Sequence, residues 1–492
     1  RKSICFGLRI LNQQWVKTKS FMEVKKYSRK EFLSFLGKIS LGAAITPSFL
    51  MACGNGNPPI ASRELSSKNL EELKQLVLEN LVASNVDDLL LTKGLEYHTI
   101  VKWNDKINND DSFGFNCDFT CFIPLDENNP KDGLLWVNHE YVDPLFVSNY
   151  DYLNDKQPRT KEQVDKEMYN VGGSIVRIRE EDGKWRVVHN DSHNRRITAK
   201  TLIKLNWESP IKGKNTVIGT HSNCSGGVTP WRTFLTCEEN YDQFYGETEY
   251  ANDGSTSHRK SFYGWESFYD YPPEHYGWVV EIDPKDGSAQ KHVALGRFAH
   301  ECCTLFQLKD ERIVAYSGDD KENEHLYKFI SSKPNSLKEG TLYVADTDNG
   351  KWMPLDWEKQ AVLKSTFKDQ TEVLIRAREA SKLLGATELN RPEDIEIDPV
   401  TGNIFVALTN NKSKEDYHGS ILKIEETISG GSVANSIVGL SQLSNDVGFI
   451  GKVNEDELGK KYEEGLKKEK VKYFYSKKKE NLSTGTCLIL IT

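Results

Sequence analysis

Residues Glu396–Ile404 read EIDPVTGNI, and the earlier stretch Glu281–Ala289 reads EIDPKDGSA. In both stretches a strand-like run ends at Asp-Pro, a turn containing glycine follows, and a second strand begins, which is the pattern of a β-hairpin. Short runs rich in valine, isoleucine, tyrosine and tryptophan recur from about Tyr97 onward. Repeated antiparallel units without helices between them predict an all-β fold. A β-propeller is the form we expect, and a β-sandwich is the alternative.

The composition of the 492-residue chain is that of a soluble globular protein, with 38% apolar and 28% charged residues. A net charge of −8 and the lack of a basic stripe among aromatic residues argue against nucleic acid as a partner. The nine cysteines form no CxxC pair, which argues against a zinc finger or a dense disulfide scaffold. We interpret the adjacent Cys302 and Cys303 as two small buried residues rather than a strained disulfide. The polar and aromatic segment Gly246–Phe268 is predicted to be a long surface insertion rather than part of the repeating sheet.

Residues 22–53 have the order of an export signal. A basic start leads to Ser28–Ser34, SRKEFLS, which resembles a twin-arginine motif with lysine in the second position. An apolar stretch and Leu50–Cys53, LMAC, which resembles a lipobox, follow. Lys38 and Pro47 interrupt the apolar stretch, and it is shorter than the ~20 residues of a membrane-spanning helix. The sequence therefore predicts a periplasmic or cell-surface lipoprotein of a bacterium, exported by a twin-arginine-like route.

The position of this signal predicts the roles of the other N-terminal residues. Residues 1–21 precede the first methionine and are expected to be upstream read-through. Cys53 is expected to be the lipidated first residue of the mature protein. The protein would then be attached to the membrane only by this lipid. Residues 54–92 are expected to form a tether and a short helix, because Glu64–Leu91 has helical periodicity.

Four apolar runs end in clustered polar residues. In a propeller, the ends of the inner strands can converge at one opening of the central channel. A single strand that ends in polar residues is, in contrast, more often followed by an ordinary turn. Turns do not specially favour glutamate, so together the four termini favour a metal site. The polar residues at these termini are His139-Glu140, Cys237-Glu238-Glu239-Asn240, Asp319-Asp320 and Asn410-Asn411.

Further carboxylates follow at Glu301 and in Arg391–Glu396, RPEDIE. If the second segment is regular strand, Arg391 and Glu393 share one face of it and Asp394 and Glu396 share the other. So many carboxylates in one pocket cannot all ionise without cations. Calcium prefers oxygen ligands, and Arg391 suits either an anionic substrate group or an ordinary ion pair with a neighbouring carboxylate.

Cys224 lies in Thr220–Asn240, THSNCSGGVTPWRTFLTCEEN, and admits three interpretations. It could be a nucleophile with His221 three residues away, a buried thiol, or a metal ligand. We favour the ligand, because a soft thiolate among carboxylates indicates a transition metal. Gly226-Gly227 would then let the backbone approach a ligand closely. Cys237 is interpreted as a buried strand residue.

The motifs together resemble the PhoX family of bacterial alkaline phosphatases. The segments that carry the resemblance are NCSGGVTPWRTFLTCEEN, GWVVEIDP, LGRFAHE, YSGDD, LYKF and NRPEDIEIDPVTGNIFVALTNN. The likeness implies a six-bladed propeller over residues 93–446. It also implies two ferric ions and calcium ions joined by a bridging oxo group, and a metal-bridged oxide or hydroxide that hydrolyses small phosphate monoesters for phosphate scavenging. We expect a monomer.

By this resemblance Cys224 would be the iron thiolate, and Glu301 and Glu393 would be metal carboxylates. Arg391 and Asn240 would bind the substrate phosphate. Chemistry alone suggests further metal ligands, namely Glu140, Glu238, Glu239, Asp319 and Asp320.

The sequence departs from the family pattern after about Asp446. Residues 447–492 read as a divergent tail rich in lysine and glutamate, and a C-terminally truncated propeller is the expectation. Two other functions remain open on the sequence. One is a calcium-dependent propeller lactonase or esterase, and the other is a non-catalytic surface propeller.

Overall fold

The two hairpins that begin with Glu-Ile-Asp-Pro form in the computed structural model with the same hydrogen bonds across the base of the turn. In the first, the backbone nitrogen of Asp283 donates to Ser288 O at 2.9 Å, and Gly287 N donates to Asp283 O at 2.9 Å. In the second, the same two bonds join Asp398 to Asn403 and Gly402 at 2.8 and 2.7 Å. The prediction of repeated hairpins is therefore confirmed.

The structure describes residues 22–28, 83–91, 95–155, 157–251, 253–398, 402–426, 448–449 and 472–473. Residues 1–21, Cys53 and nearly all of the predicted tail lie outside this part of the chain. The predicted helix Glu64–Leu91 is described only from residue 83, and residues 83–91 are not helical. No helix among the described residues is long and apolar enough to cross a membrane.

The described residues form four sheets of four or more strands, which we name sheets I to IV, and the chain is mostly β. Sheet I contains Cys117–Asp126, Asn129–His139, Gly172–Glu181 and Lys184–Val187, with Arg195–Ile197 paired to the third of these strands. Sheet II runs, in spatial order, through Thr216–Ile218, Leu202–Leu205, Ala289–Lys291, Val279–Ile282, Phe234–Glu238 and Asn223–Val228.

The other two large sheets follow along the chain. Sheet III contains Thr304–Gln307, Arg312–Gly318, Leu326–Pro334, Gly340–Asp346 and Lys351–Pro354. Sheet IV contains Met22–Ser28, Ser420–Glu426, Ile404–Leu408 and Pro392–Ile397 in spatial order, so part of the predicted export signal is placed as an edge strand. Three two-stranded sheets are Glu247–Tyr250 with Thr256–Arg259, Glu322–Glu324 with Leu389–Asn390, and Gly448–Phe449 with Lys472–Tyr473.

Short helices interrupt the strands, which the expectation of sheets without helices did not anticipate. Within the described part of the chain the α-helices are Pro144–Ser148, Lys161–Asn170, Asp242–Tyr245, Ala361–Thr366, Gln370–Ile375 and Ala377–Leu383. The 3-10 helices are Trp265–Ser267, Pro273–His275, Val293–Leu295 and Lys412–Lys414. The predicted insertion Gly246–Phe268 does lie outside the large sheets, and Trp265 anchors it in an aromatic core.

Side-chain and backbone contacts join each sheet to the next. Asn138 of sheet I donates to Cys224 O of sheet II at 2.6 Å. Ser225 N donates to Glu301 O at 3.1 Å at the start of sheet III. A Cβ at Gly318 would lie 2.2 Å from Pro392 O, so the absence of a side chain there lets sheets III and IV approach each other. These contacts bring the strand termini of all four sheets toward one region.

Candidate metal and phosphate site

Cys224 lies at the centre of two overlapping groups of possible metal ligands. Its sulfur lies within 4.8 Å of carboxylate oxygens of Glu239 and Glu301, and the three atoms are mutually within that distance. The same limit holds for Cys224 with Asp118 and Glu140. Four carboxylates thus surround one thiol, and we call these five residues the Cys224 cluster.

The sheet pairing explains how these residues meet. Asp118 lies in the strand Cys117–Asp126, and Glu140 directly follows the neighbouring antiparallel strand Asn129–His139. Cys117 is paired with His139, so the start of one strand lies beside the end of the other. Cys224 is in a neighbouring strand of sheet II. Ligands remote in sequence therefore become neighbours through strand pairing.

Burial and like charge raise the pKa values of the cluster. Burial first, then the charge of Asp118, raise the pKa of Glu140 to about 8. Burial and the charges of Glu301 and Asp320 raise the pKa of Glu239 well above its usual range. Burial and the charge of Glu301 likewise raise the pKa of the Cys224 thiol. Without cations the cluster would hold protons, and bound cations would replace them.

Arg391 forms a bridge between two more carboxylates beside the cluster. Its Nη2 lies 2.6 Å from an oxygen of Asp320 and 2.9 Å from an oxygen of Glu393. The other oxygen of Asp320, Oδ1, is buried and has no hydrogen-bond partner among the described residues. Arg391 also has φ +51°, a backbone conformation that costs a non-glycine residue about 1–2 kcal/mol. An orphaned carboxylate oxygen and a strained cation are features that a bound ligand would explain.

Asn240 follows Glu239 and is held by three polar neighbours. Its Nδ2 donates to the Tyr141 hydroxyl at 2.7 Å and to Glu239, and its Oδ1 accepts from Lys321 Nζ. A pocket of about 290 Å³ opens above this group. The side chains that line it are Glu239, Asn240, Asp320, Lys321, Glu322, Arg391, Asn410 and Lys412. Every lining residue is polar or charged, so the pocket suits a small, strongly polar ligand.

Comparison with known proteins places this site in a family. The family model described as alkaline phosphatase PhoX matches residues 77–445, three quarters of the chain. The chain belongs to the PhoX alkaline phosphatase family. It is a phosphatase, and this decides against the lactonase and the non-catalytic propeller considered from the sequence.

A solved PhoX structure supports the same assignment. The chain is similar to Pseudomonas fluorescens PhoX in complex with vanadate, a transition-state analogue. The TM-score is 0.59 and the identity is 26%, over 70% of this chain and 75% of that chain. Seven chains of solved structures match in total, and no curated protein is significantly similar to this chain.

A second family model, described as pfkB family carbohydrate kinase, matches residues 402–492 and overlaps the end of the PhoX match. The described part of this stretch contains the strands Ile404–Leu408 and Ser420–Glu426 of sheet IV and the short pair Gly448–Phe449 with Lys472–Tyr473. The match gives residues 447–492 a family likeness that their charged composition did not indicate. It covers less than a fifth of the chain, and we assign no kinase activity from it.

Within the PhoX site, the structure places Glu238 away from the Cys224 cluster, which corrects its expected role as a metal ligand. Glu238 Oε1 pairs with Lys291 Nζ at 2.7 Å, and Oε2 accepts from Gly277 N and Trp278 N at 2.9 and 3.1 Å. Adjacent strand residues point to opposite faces, so only one of Glu238 and Glu239 can face the cluster.

Asp319 is likewise removed from the expected ligand set. Arg378 holds both of its oxygens, at 2.7 and 2.5 Å, and Ala299 N donates to Oδ1 at 3.2 Å. Arg378 comes from the helix Ala377–Leu383, which the sequence analysis did not predict. The adjacent Asp320 instead lines the pocket.

Two interpretations of the Cys224 stretch are also settled by the contacts. The His221 ring lies among Phe244 and Tyr276, with ring centroids at 4.5 and 4.4 Å, so its surroundings are those of a core histidine and not of a thiol-activating base. The space next to Gly226 is filled by Leu235 O, 2.1 Å from the position of a Cβ, so the neighbouring strand and not a ligand uses it. Cys302 and Cys303 are buried free thiols, as predicted.

Sequence reasoning missed three residues of this region. Asp118 was missed because the predicted ligands were residues that follow strands. Asp118 lies instead at the start of a strand, which antiparallel pairing places beside the end of its neighbour. Arg391 and Glu393 lie on the same side, as expected, since they form an ion pair at 2.9 Å. The alternation does not continue regularly to Asp394, because the register shifts between Pro392 and Ile395. Asp394 therefore acts on the site as well, where its charge raises the pKa of Glu301 after burial and Asp320. Lys321 was missed because no motif pointed to it, although it directly follows Asp319-Asp320.

Proposed function

We propose that this PhoX family phosphatase hydrolyses small phosphate monoesters outside the cytoplasm, with iron and calcium bound at the Cys224 cluster, and so releases phosphate for uptake. The observation that carries the proposal is the position of one thiol within 4.8 Å of four carboxylates, beside a polar pocket. Its donors Arg391 and Asn240 suit an anionic phosphate group.

The chemistry of the donor set supports these cations. A Cys224 thiolate is a soft ligand and suits iron, whereas carboxylate oxygens suit calcium. The buried Asp320 Oδ1 lacks a partner in the described chain and is available as a further ligand. The residues that would hold the cations are Asp118, Glu140, Cys224, Glu239, Glu301, Asp320 and Glu393. When bound, the cations would neutralise phosphate oxygens and activate the attacking oxygen.

The protein's own residues bind and orient the substrate. The Arg391 guanidinium would exchange part of its contact with Asp320 and Glu393 for phosphate oxygens, and would stabilise the charge that they carry in the transition state. When a bound cation replaces the contact between the Asn240 amide and Glu239, Asn240 Nδ2 would donate a hydrogen bond to a phosphate oxygen. The open, polar mouth makes few demands on the leaving alcohol, so we propose broad use of small polar esters.

The same proposal includes the finer fold. Sheets I to IV would be four blades of a six-bladed propeller, with the Cys224 cluster near its axis. The support is that strands of three sheets contribute ligands to one site, namely Asp118 from sheet I, Cys224 from sheet II and Glu393 from sheet IV. Asp320 follows the strand Arg312–Gly318 of sheet III. An experimental structure in which these sheets are not arranged radially around the cluster would overturn this part.

We further propose export as a lipoprotein, supported by the order of segments in residues 22–53. Processing at Cys53 would remove Met22–Ser28 and expose the edge of Ser420–Glu426 in sheet IV. The mass of the mature protein from bacterial membranes, with a Cys53→Ser variant as control, tests this. A wild-type protein that keeps residues 22–52 would contradict it.

Phosphate release tests the activity directly. The full chain, supplied with iron and calcium, should hydrolyse an aryl phosphate, and a Glu301→Ala variant should lose that activity at least 100-fold. A correctly folded, metal-loaded wild-type protein that releases no phosphate would overturn the proposed function.

A further inference from the structure

We propose that Lys321 is a third phosphate-binding group of the pocket, which binds the substrate phosphate together with Arg391 and Asn240. The inference deepens the proposed function and rests on it. It concerns a residue that no sequence motif singled out, and it assigns part of the affinity for the phosphate dianion to one lysine ammonium group.

Lys321 is placed in the pocket by its position after Asp320. The end of the strand Arg312–Gly318 turns the chain so that Asp320 and Lys321 both line the cavity. The Lys321 side chain is half-buried, and its Nζ donates to Asn240 Oδ1. The ammonium group is therefore held against a residue that the proposed function already places on the phosphate.

The ammonium group of Lys321 has donors to spare. It carries three N–H donors, of which Asn240 takes one, and no carboxylate of the described chain forms an ion pair with it. Arg391, in contrast, is paired with Asp320 and Glu393, and Arg378 is paired with Asp319. Lys321 is thus a pocket cation with unused donors, as a site for an anion requires.

The contact with Lys321 also fixes the orientation of the Asn240 amide. Because an ammonium group can only donate, Asn240 must turn its oxygen toward Lys321 and its Nδ2 toward Tyr141 and Glu239. The lysine acts as a point charge, which suits a phosphate dianion.

The test compares lysines that carry the same charge at different positions. Lys321→Gln, Lys321→Arg and the control Lys414→Gln are prepared as full-length, metal-loaded proteins. Lys414 lies outside the pocket, and its nearest carboxylate is that of Glu388 at 3.9 Å. The probe is inorganic phosphate, measured by titration calorimetry and as an inhibitor of aryl phosphate hydrolysis, with metal content and melting temperature as checks on folding.

We expect Lys321→Gln to raise the Kd for phosphate and the KM for the ester by about 10-fold to 100-fold. Lys321→Arg should recover most of this loss, and Lys414→Gln should change either constant less than about twofold. A Lys321→Gln protein with wild-type phosphate affinity would overturn the inference. So would an effect that disappears in an Asn240→Ala background, because Lys321 would then act only by orienting the amide.

These outcomes are separable from failure of the proposed function. If the wild-type protein binds phosphate but does not hydrolyse esters, the proposed function fails while the calorimetric comparison still decides the role of Lys321. If the wild-type protein hydrolyses esters and Lys321→Gln has the same Kd for phosphate and the same KM for the ester, only the inference about Lys321 fails.

Discussion

Glu238 Oε1 and Lys291 Nζ lie 2.7 Å apart, and neither side chain has exposed surface. The pair is completed by Gly277 N and Trp278 N on the glutamate and by His275 O on the lysine. Glu239, the next residue, belongs to the Cys224 cluster. Two adjacent glutamates therefore have separate tasks, one in stability and one in the proposed metal site.

We expect Glu238→Gln to lower the free energy of unfolding by about 3–5 kcal/mol, because Lys291 would remain buried without its counter-ion. Glu239→Gln should instead reduce metal content with a smaller effect on the metal-free protein. Denaturant unfolding and metal analysis of both variants check this. Glu238→Gln with wild-type stability and lost metal would reverse the assignment.

Replacement of Arg391 separates substrate binding from a purely structural ion pair. We expect Arg391→Lys to lower kcat/KM for an aryl phosphate by about 100-fold, because a lysine cannot reproduce the planar fork of a guanidinium group. The control is Arg312→Lys, whose ion pair with Asp310 is exposed. If Arg391→Lys lowers the melting temperature but leaves kcat/KM unchanged, Arg391 serves only Asp320 and Glu393.

The acid stability of the protein depends on Glu281, in the first Glu-Ile-Asp-Pro hairpin. Burial alone would raise the pKa of Glu281, but His292, Thr233 and Trp231 lower it to about 2. Because the folded pKa lies below the unfolded value of about 4.3, this residue adds about 3 kcal/mol above that pH, and the contribution is lost as pH falls toward 2.

We therefore expect Glu281→Gln to be less stable than the wild type at pH 6, with the difference shrinking as pH falls from about 4.5 to 2. Denaturant midpoints at several pH values measure it. Gln290→Ala, which removes one hydrogen bond to the same carboxylate, should show a smaller effect of the same sign. If the difference in stability between Glu281→Gln and the wild type does not change with pH, this account is contradicted.

The strands, the hairpins and the convergence of strand ends could be predicted from local sequence. The hairpins at Glu281 and Glu396 depend on turn residues within nine positions. Glu140 and Glu239 directly follow their strands, and Asp320 is the second residue after its strand. These features need no knowledge of distant partners, because turn chemistry and strand ends are local properties of the chain.

The remaining features depended on contacts that sequence spacing does not contain. Asp319 was expected to bind metal, but its partner Arg378 lies 59 residues away in an unpredicted helix. Glu238 was expected to share the site with Glu239, although strand alternation already opposed it. The register shift between Pro392 and Ile395 was not visible in the residues themselves.

The central claim is that the Cys224 thiolate binds iron among the surrounding carboxylates. The measurement that tests it most directly is metal content per chain by mass spectrometry for the wild type, Cys224→Ala and Cys237→Ala. Cys237 is a buried strand thiol outside the cluster and serves as the matched control. We predict that the wild type and Cys237→Ala contain iron and that Cys224→Ala, still folded, loses it together with phosphatase activity. A folded Cys224→Ala protein with the iron content of the wild type would contradict the account.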